Sequence, residues 1–231
     1  MKRLSATQSE KLSAVQNNRY FSAVDIEILN DLIRHMALFQ FDRGETLFLE
    51  DEPSKGLYIL RKGSVKLYKL SPQGREMVMK VFQEGATFNE VPVFDGGGNP
   101  VNVAALEKSS VWIIDASAIR KALREHPEIS APIILNLSKN LRMFVEMVEE
   151  LSFFQVSTRL ARLIISLSDQ ELAGRGSHRL TQNAIAARLG TVREVVARSL
   201  RELERSGAIR ASREGIEILD QDRLSEWANQ G

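Results

Sequence analysis

The stretch Leu180-Thr181-Gln182-Asn183-Ala184-Ile185-Ala186-Ala187-Arg188-Leu189-Gly190-Thr191-Val192-Arg193-Glu194-Val195-Val196-Ala197-Arg198-Ser199-Leu200 decides the reading of this sequence. Thr181 is suited to cap a helix whose apolar positions are Ala184, Ile185 and Leu189, and Gly190 to the tight turn that ends it. Thr191, with Glu194 three residues on, has the spacing of a second cap. Val195, Val196, Leu200 and Leu203 then share an inward face. Two short helices joined at a glycine describe a helix-turn-helix, whose second helix enters a major groove.

The polar positions of that second helix fit the role. Arg193, Glu194, Ala197 and Arg198 fall near its start and can share an outward, base-reading face. Arg can bond two acceptors of guanine, and Glu can accept from a cytosine amino group. Thr181, Gln182, Thr191 and Arg201 are placed to meet the DNA backbone. From residue 180 to 213 seven Arg stand against three Glu, an excess of four positive charges suited to phosphates. The competing reading is a solvated helix laced by Glu194–Arg198, Arg198–Glu202 and Arg201–Glu204 pairs. Those pairs would consume all three carboxylates and still leave Arg193 and Arg205 free. Ala208-Ile209-Arg210-Ala211-Ser212 and Gly215-Ile216-Glu217-Ile218-Leu219 read as a hairpin turning at Arg213-Glu214-Gly215, which makes this a winged helix-turn-helix. Two short helices and this hairpin are expected to complete the chain.

Upstream, Ala173-Gly174-Arg175-Gly176-Ser177 breaks a helix. Before it, Ile134, Leu137, Leu141, Phe144, Val148 and Leu151 step by three and four, an apolar seam of nearly three heptads. Pro132 is tolerated near that helix's start. A second face carries Ile133, Met147 and Phe154, interrupted by Asn140. The competing reading is one helix packed on its own barrel; a seam flanked by a second apolar face instead suggests two partners, the chain's own core and the same helix of a twin chain in a parallel homodimer.

From about Phe39 to Asp115 short β-prone runs alternate with turn residues. Val65-Lys66-Leu67-Tyr68, Val101-Asn102-Val103 and Val111-Trp112-Ile113-Ile114 are examples, and Gly44, Gly56, Gly63, Gly74 and Gly85 sit between runs. Evenly spaced short strands suggest a small barrel or sandwich. Ahead of them, Ser22 and Asp25 stand in capping-box spacing before Ile28, Leu29, Leu32, Ile33 and Met36. Residues 1–19 are polar and weakly patterned, and are read as a loose N-terminus. The fold class is therefore α+β. Its expected segments are a small barrel or sandwich over 20–126, a dimerisation helix over 127–154, and a winged helix-turn-helix over 155–231.

Composition narrows the function. Among 231 residues, 43% are hydrophobic and 26% charged, the profile of an ordinary globular chain. Lys+Arg is 31 and Asp+Glu 30, so the near-neutral whole hides the basic face. Cys is 0, which excludes disulfides, thiolate zinc sites and a cysteine-ligated iron–sulfur cluster. No apolar run exceeds four residues and no signal peptide is visible, so no membrane partner and a cytoplasmic location are expected. An enzyme is not expected. His35, His126 and His178 are scattered without metal-ligand spacing, no metal site is read, and neither a Walker A nor a nucleophile-elbow motif is present. Asp95-Gly96-Gly97-Gly98-Asn99 reads as a flexible turn.

With these parts in order, the chain over roughly residues 20–220 resembles the cyclic-AMP receptor protein / fumarate–nitrate regulator family. Gly44-Glu45-Thr46-Leu47-Phe48 through Leu57-Tyr58-Ile59-Leu60, Lys62-Gly63-Ser64-Val65, Gly74-Arg75-Glu76 and Gly85-Ala86-Thr87-Phe88-Asn89-Glu90 are similar to the cyclic-nucleotide-binding β-roll, a resemblance that makes the 20–126 segment a β-roll sensor domain. Arg193-Glu194-Val195-Val196-Ala197-Arg198 resembles the family's DNA-reading helix. The resemblance implies a homodimeric transcription regulator that binds a palindromic site, with RNA polymerase as a further partner. It departs where the ligand would bind. Cyclic-AMP binders carry Gly-Glu followed by Arg-Ser or Arg-Thr; here Asn89-Glu90 takes the first place and Pro100-Val101 the second, so the phosphate-pairing Arg is missing. Asp51 replaces an expected turn glycine, and Phe144 and Val145 stand where polar residues would meet a purine. Cyclic AMP is therefore not the expected effector. Asn89, Glu90, Asn99, Val101, Asn102 and Phe144 are the candidate pocket, and the four polar ones alternatively form a structural turn network. A haem-based gas or redox sensor is one family option and a protein active without a small molecule, controlled by its own abundance, is another; a small-molecule-binding adaptor without DNA affinity is the remaining alternative.

Overall fold

The structure, a computed structural model, describes residues 1–22, 24–167, 172, 181–212 and 215–230. Leu180, the 173–177 break, His178 and the hairpin-tip residues Arg213 and Glu214 lie outside the described residues. The chain divides into two compact units, 1–68 with 80–141, and 69–79 with 142–231.

The first unit is built on strands β1 (Lys2–Leu4), β2 (Met36–Phe41), β3 (Thr46–Phe48), β4 (Gly56–Lys62), β5 (Val65–Leu70), β6 (Glu76–Phe82), β7 (Thr87–Phe88), β8 (Asn102–Ala105) and β9 (Ser109–Asp115), of which the end of β5 and the start of β6, within 69–79, are counted in the second unit. One sheet runs β1-β2-β9-β4-β7 and the other β3-β8-β5-β6. β9 is the hinge of the pattern. It pairs antiparallel with β2, Met36 opposite Ile114, and with β4, Tyr58 opposite Ile113. Side chains alternate across a strand, so Val111 and Ile113 enter a core between the sheets with Phe41, Phe48, Tyr58, Leu60, Phe88 and Val103. Trp112 and Ile114 point the other way, into a core with Leu38, Leu57, Ile59 and Ile119. That explains the unbroken apolar run in the sequence: both faces of the strand are covered. Gly63 turns β4 into β5 at φ +92°, and a Cβ there would stand 2.4 Å from Ser109 Oγ.

Helices α1 (Gln8–Gln16), α2 (Ile26–Arg34), α3 (Glu90–Asp95) and α4 (Ala116–Glu125), with the first turns of α5 (Ser130–Phe153), supply the helical layer. Residues 1–19 are not loose. β1 pairs with β2, Arg3 opposite Phe39. Thr7 and Glu10 cap α1 reciprocally, at 2.9 Å and 3.2 Å, and Val15 is fully buried. Composition misleads here because the segment docks through backbone pairing and one valine. Asp25, not Ser22, is the N-cap of α2, and it makes no side-chain capping bond.

The second unit contains α6 (Val156–Ser166), α7 (Gln182–Leu189), α8 (Arg193–Arg205), strands β10 (Ile209–Ala211) and β11 (Ile216–Ile218), and α9 (Gln221–Ala228). Leu160, Ile164, Ile185, Val196, Leu203, Ile209 and Leu224 form its core. β10 and β11 pair antiparallel, Arg210 opposite Glu217, as a wing. α9 was not expected from the sequence. Asp220 caps it by accepting from the Arg223 N–H at 3.0 Å, and Leu224 anchors it fully buried. The boundary between the two units falls inside α5, whereas the sequence reading sets that helix apart as its own segment and changes domain at 154–155.

Candidate nucleic-acid interface and sensor site

Local chemistry fixes the turn between α7 and α8. Thr181 Oγ1 accepts from the Ala184 N–H at 3.1 Å, capping α7 as its sequence predicts. Gly190 closes α7 in the left-handed region at φ +60°, and the Thr191 N–H returns to Ala186 O at 3.0 Å. A Cβ on Gly190 would lie 3.4 Å from Met77 Sδ and 3.6 Å from Leu151. The last carbonyl of α7, Leu189 O, accepts from Arg159 Nη1 at 2.7 Å. Arg159 on α6 was not anticipated, because its partner lies 30 residues away. The second cap differs from expectation: Val192 is the N-cap of α8, without a side-chain bond, so Thr191 lies one residue too early to cap it.

On α8, Val196, Ser199, Leu200 and Leu203 are buried and Val195 half-buried. Arg193, Glu194, Arg198 and Arg201 are exposed along the opposite side, with Ala197 half-buried between them. Arg193 Nε donates to Gln182 Oε1 at 3.2 Å, tying the start of α8 to the start of α7. Among the described residues none of the three intrahelical Glu–Arg pairs forms. Glu204 instead accepts from the Ala211 N–H of the wing at 2.8 Å, and Arg210 pairs across the wing with Glu217 at 2.9 Å.

On α5, Ile134 (60% exposed), Leu141 (65%), Val145 (61%) and Val148 (63%) make an uncovered apolar stripe, with Leu151 at 41%. Leu137 and Phe144 beside it are half-buried. Ile133 is buried, as the second face predicts.

In the first unit the asparagines hold backbone. Asn89 takes the left-handed conformation, φ +74°, in the glycine's place, and its amide donates to Ser54 Oγ at 3.1 Å and Gly56 O at 3.2 Å. Asp51, the other departure from glycine, is likewise left-handed at φ +64°. Asn99 Nδ2 donates to Leu49 O at 3.1 Å. Asn102 accepts from the Glu50 N–H at 3.0 Å and donates to Tyr68 O at 3.3 Å. Val101 is half-buried against the inter-sheet core. Phe144 belongs to the second unit. The structure thus brings Asn99 and Asn102 to the 49–52 turn, and Asn89 to 54–56.

Glu90, at the start of α3, is 6% exposed and accepts at Oε1 from the Tyr20 hydroxyl (2.6 Å) and the Asn136 amide (2.9 Å). Lys80 Nζ donates to Asn140 Oδ1 at 2.7 Å. Tyr20, Lys80, Asn136 and Asn140 were missed as a group. The only signal was two asparagines, one helical turn apart, at the apolar start of α5. Burial pushes the Glu90 carboxyl above its ordinary value of 4.5, against the Tyr20 hydrogen bond and the Arg19 and Lys80 charges. Such a group keeps its proton in the native chain after the unfolded chain has lost it. Stability therefore falls as pH rises from 4.5 through the folded value, and is level above it. Glu90→Gln retains an oxygen acceptor and removes that dependence. Its melting temperature should gain on the parent's as pH is raised from about 4 to about 7. A constant difference across that range would show that no proton is held there.

The described histidines lie at helix ends. His35 Nδ1 is 4.0 Å from Asp115 and half-exposed, and His126 Nδ1 is 3.6 Å from Glu128. Neither of these two is placed as a buried axial ligand. Among the described residues no cluster of three metal-ligating side chains occurs, and no helix is long and apolar enough to cross a membrane.

Comparison with known proteins agrees with this architecture. Residues 38–126 match the cyclic nucleotide-binding domain and residues 158–227 the Crp-like helix-turn-helix domain. A "CRP-like cAMP-activated global transcriptional regulator" of Mycobacterium tuberculosis is 29% identical over 213 residues, covering 90% of this chain and 95% of the relative. The "Global nitrogen regulator" of Synechocystis is 26% identical over 229 residues, covering 96% and 97%. The solved structure of a crp/fnr-family transcriptional regulator from Eubacterium rectale superposes with a TM-score of 0.76 at 19% identity, over 92% of this chain and all of that one. With a cyclic-nucleotide-binding domain followed by a Crp-like helix-turn-helix, the chain belongs to the cyclic-AMP receptor protein / fumarate–nitrate regulator family of DNA-binding transcription regulators.

Proposed function

We propose that the protein is a homodimer that reads a palindromic duplex through α8 and does so without cyclic AMP, acting on transcription in the cytoplasm together with RNA polymerase. The carrying observation is the outward side of α8, where Arg193, Glu194 and Arg198 are exposed and not consumed by pairs along the helix. With Ala197 they are the base-reading set; Thr181, Gln182, Thr191 and Arg201 meet the backbone. The uncovered stripe of α5 supports the dimer, with Ile134, Leu137, Leu141, Phe144, Val148 and Leu151 as its seam. Selection of duplexes from a random pool tests the reading. The expected product is a half-site similar to TGTGA in two copies about one helical turn apart. A selected pool with no G·C-specific position would reject it.

Cyclic AMP is set aside on chemistry. The mycobacterial relative is described as cAMP-activated, but a bound phosphodiester must be paired when it leaves water. Pro100 is exposed and Val101 half-buried, and neither offers a charge or a side-chain donor. Asn89, Asn99 and Asn102 are engaged with backbone or Ser54, which supports their reading as a turn network. Calorimetry with micromolar cyclic AMP should show no binding, and millimolar cyclic AMP should leave duplex affinity unchanged. A saturable titration that also tightened DNA binding would overturn this.

A further inference from the structure

Three stretches far apart in the chain converge on one oxygen atom. Glu90 Oε1 receives the Tyr20 hydroxyl, 70 residues away, and the Asn136 amide, 46 residues away, and Asn136 also donates to the Tyr20 oxygen. Asn18 fixes Tyr20 from behind. Its Oδ1 accepts from the Tyr20 N–H at 3.0 Å, and its Nδ2 donates to Thr87 Oγ1 at 2.7 Å, beside Glu90 on the chain. Asn18, Tyr20, Thr87, Glu90 and Asn136 are all at most 6% exposed. A carboxyl withdrawn from water needs donors. Here the chain supplies them itself: one from the turn after α1, one from the second turn of α5.

We propose that the Tyr20 hydroxyl is a built-in occupant of the sensor site: it holds the position on Glu90 that a ligand hydroxyl would need, and so couples the N-terminal segment, α3 and the start of α5 with no small molecule present. A ligand hydroxyl can take that place on Glu90 Oε1 only by displacing the Tyr20 hydroxyl that holds it. Ligand binding and docking of the segment around Tyr20 then become mutually exclusive, and each weakens the other by the same factor. The inference rests on the reading of the protein as a DNA-binding regulator that works without cyclic AMP.

The test uses the full chain and two variants. Tyr20→Phe removes one oxygen and keeps the ring. Without added ligand its duplex affinity should fall about tenfold or more, the scale of one hydrogen bond to a buried carboxyl. Tyr20→Ala vacates the site, and p-cresol, the side chain as a free molecule, should restore duplex binding where toluene, which lacks the hydroxyl, does not. Tyr20→Phe binding within about twofold of the parent, or equal rescue by p-cresol and toluene, would overturn the proposal; equal rescue would mean that Tyr20 only packs. If Tyr20→Ala fails to fold, the Tyr20→Phe measurement decides alone. A parent chain that binds no duplex from a random pool sinks the regulator reading instead. Amide exchange at residues 18–22 and 133–140 then judges the occupant separately, supported by faster exchange at both in Tyr20→Phe and overturned by unchanged exchange.

Discussion

Leu141→Glu is expected to abolish the proposed dimer and, with it, specific DNA binding. Leu141 is 65% exposed in the single chain and sits mid-way along the apolar stripe of α5. The variant chain should therefore fold as the parent does, with an unchanged circular dichroism spectrum. In a parallel dimer each Leu141 meets its twin, so the substitution sets two carboxylates against each other in a seam closed to water. An uncompensated buried charge costs about 3–5 kcal/mol, which weakens association at least about a hundredfold. Two recognition helices held as a pair read two half-sites; a monomer reads one and loses the benefit of linkage. Sedimentation at micromolar concentration measures the first effect and a palindrome gel shift the second. An unaltered dimer in Leu141→Glu would reject the seam.

Arg198→Ala should cost about 1–3 kcal/mol of duplex affinity and relax preference at one base pair of each half-site. Arg198 is exposed on α8, five residues past Arg193, and its loss removes no buried contact. Thermal stability should accordingly stay within about 0.5 kcal/mol of the parent. The discriminating readout is the position dependence. A base-reading Arg, removed, flattens the selected-pool profile at a single G·C pair, whereas a phosphate-contacting Arg weakens all sequences alike and lowers the salt slope by about one. Arg201→Ala, assigned to the backbone, is the natural comparison and should show the second pattern. If Arg198→Ala weakens every duplex equally, it belongs with the backbone set.

How much of this was legible depended on how local the governing physics is. The helix-turn-helix could be read because its signals are short-range: Thr181 bonds three residues ahead, and Gly190 needs only its own left-handed φ. The four-residue apolar run at 111–114 correctly marked a strand, but only the packing of two cores explains why it does not alternate. The N-terminus was misjudged for the opposite reason. Its order comes from pairing of Lys2–Leu4 with a strand 34 residues on, and nothing in its own composition reports that. The second cap slipped by one residue, from Thr191 to Val192, because the Thr191 N–H is still engaged in closing the preceding helix on Ala186 O. Asn89 and Asp51 looked like losses of glycine, yet both retain the backbone that glycine would have given. The Tyr20–Glu90–Asn136 convergence was invisible, since no spacing rule links residues 46 and 70 apart.

The two-sided burial of β9 carries one more consequence, for the way the sensor unit melts. A wall shared by two rooms cannot be removed from one of them alone. Val111 and Ile113 support the space between the sheets, while Trp112 and Ile114, on the same seven-residue strand, support the helical layer. Displacing the strand to loosen either side exposes both, and β2 and β4 lose their central partner in the same step. The barrel interior and its helical jacket are therefore a single cooperative body rather than two foldons, and what happens at one side of the sheet is felt at the other as an all-or-none event.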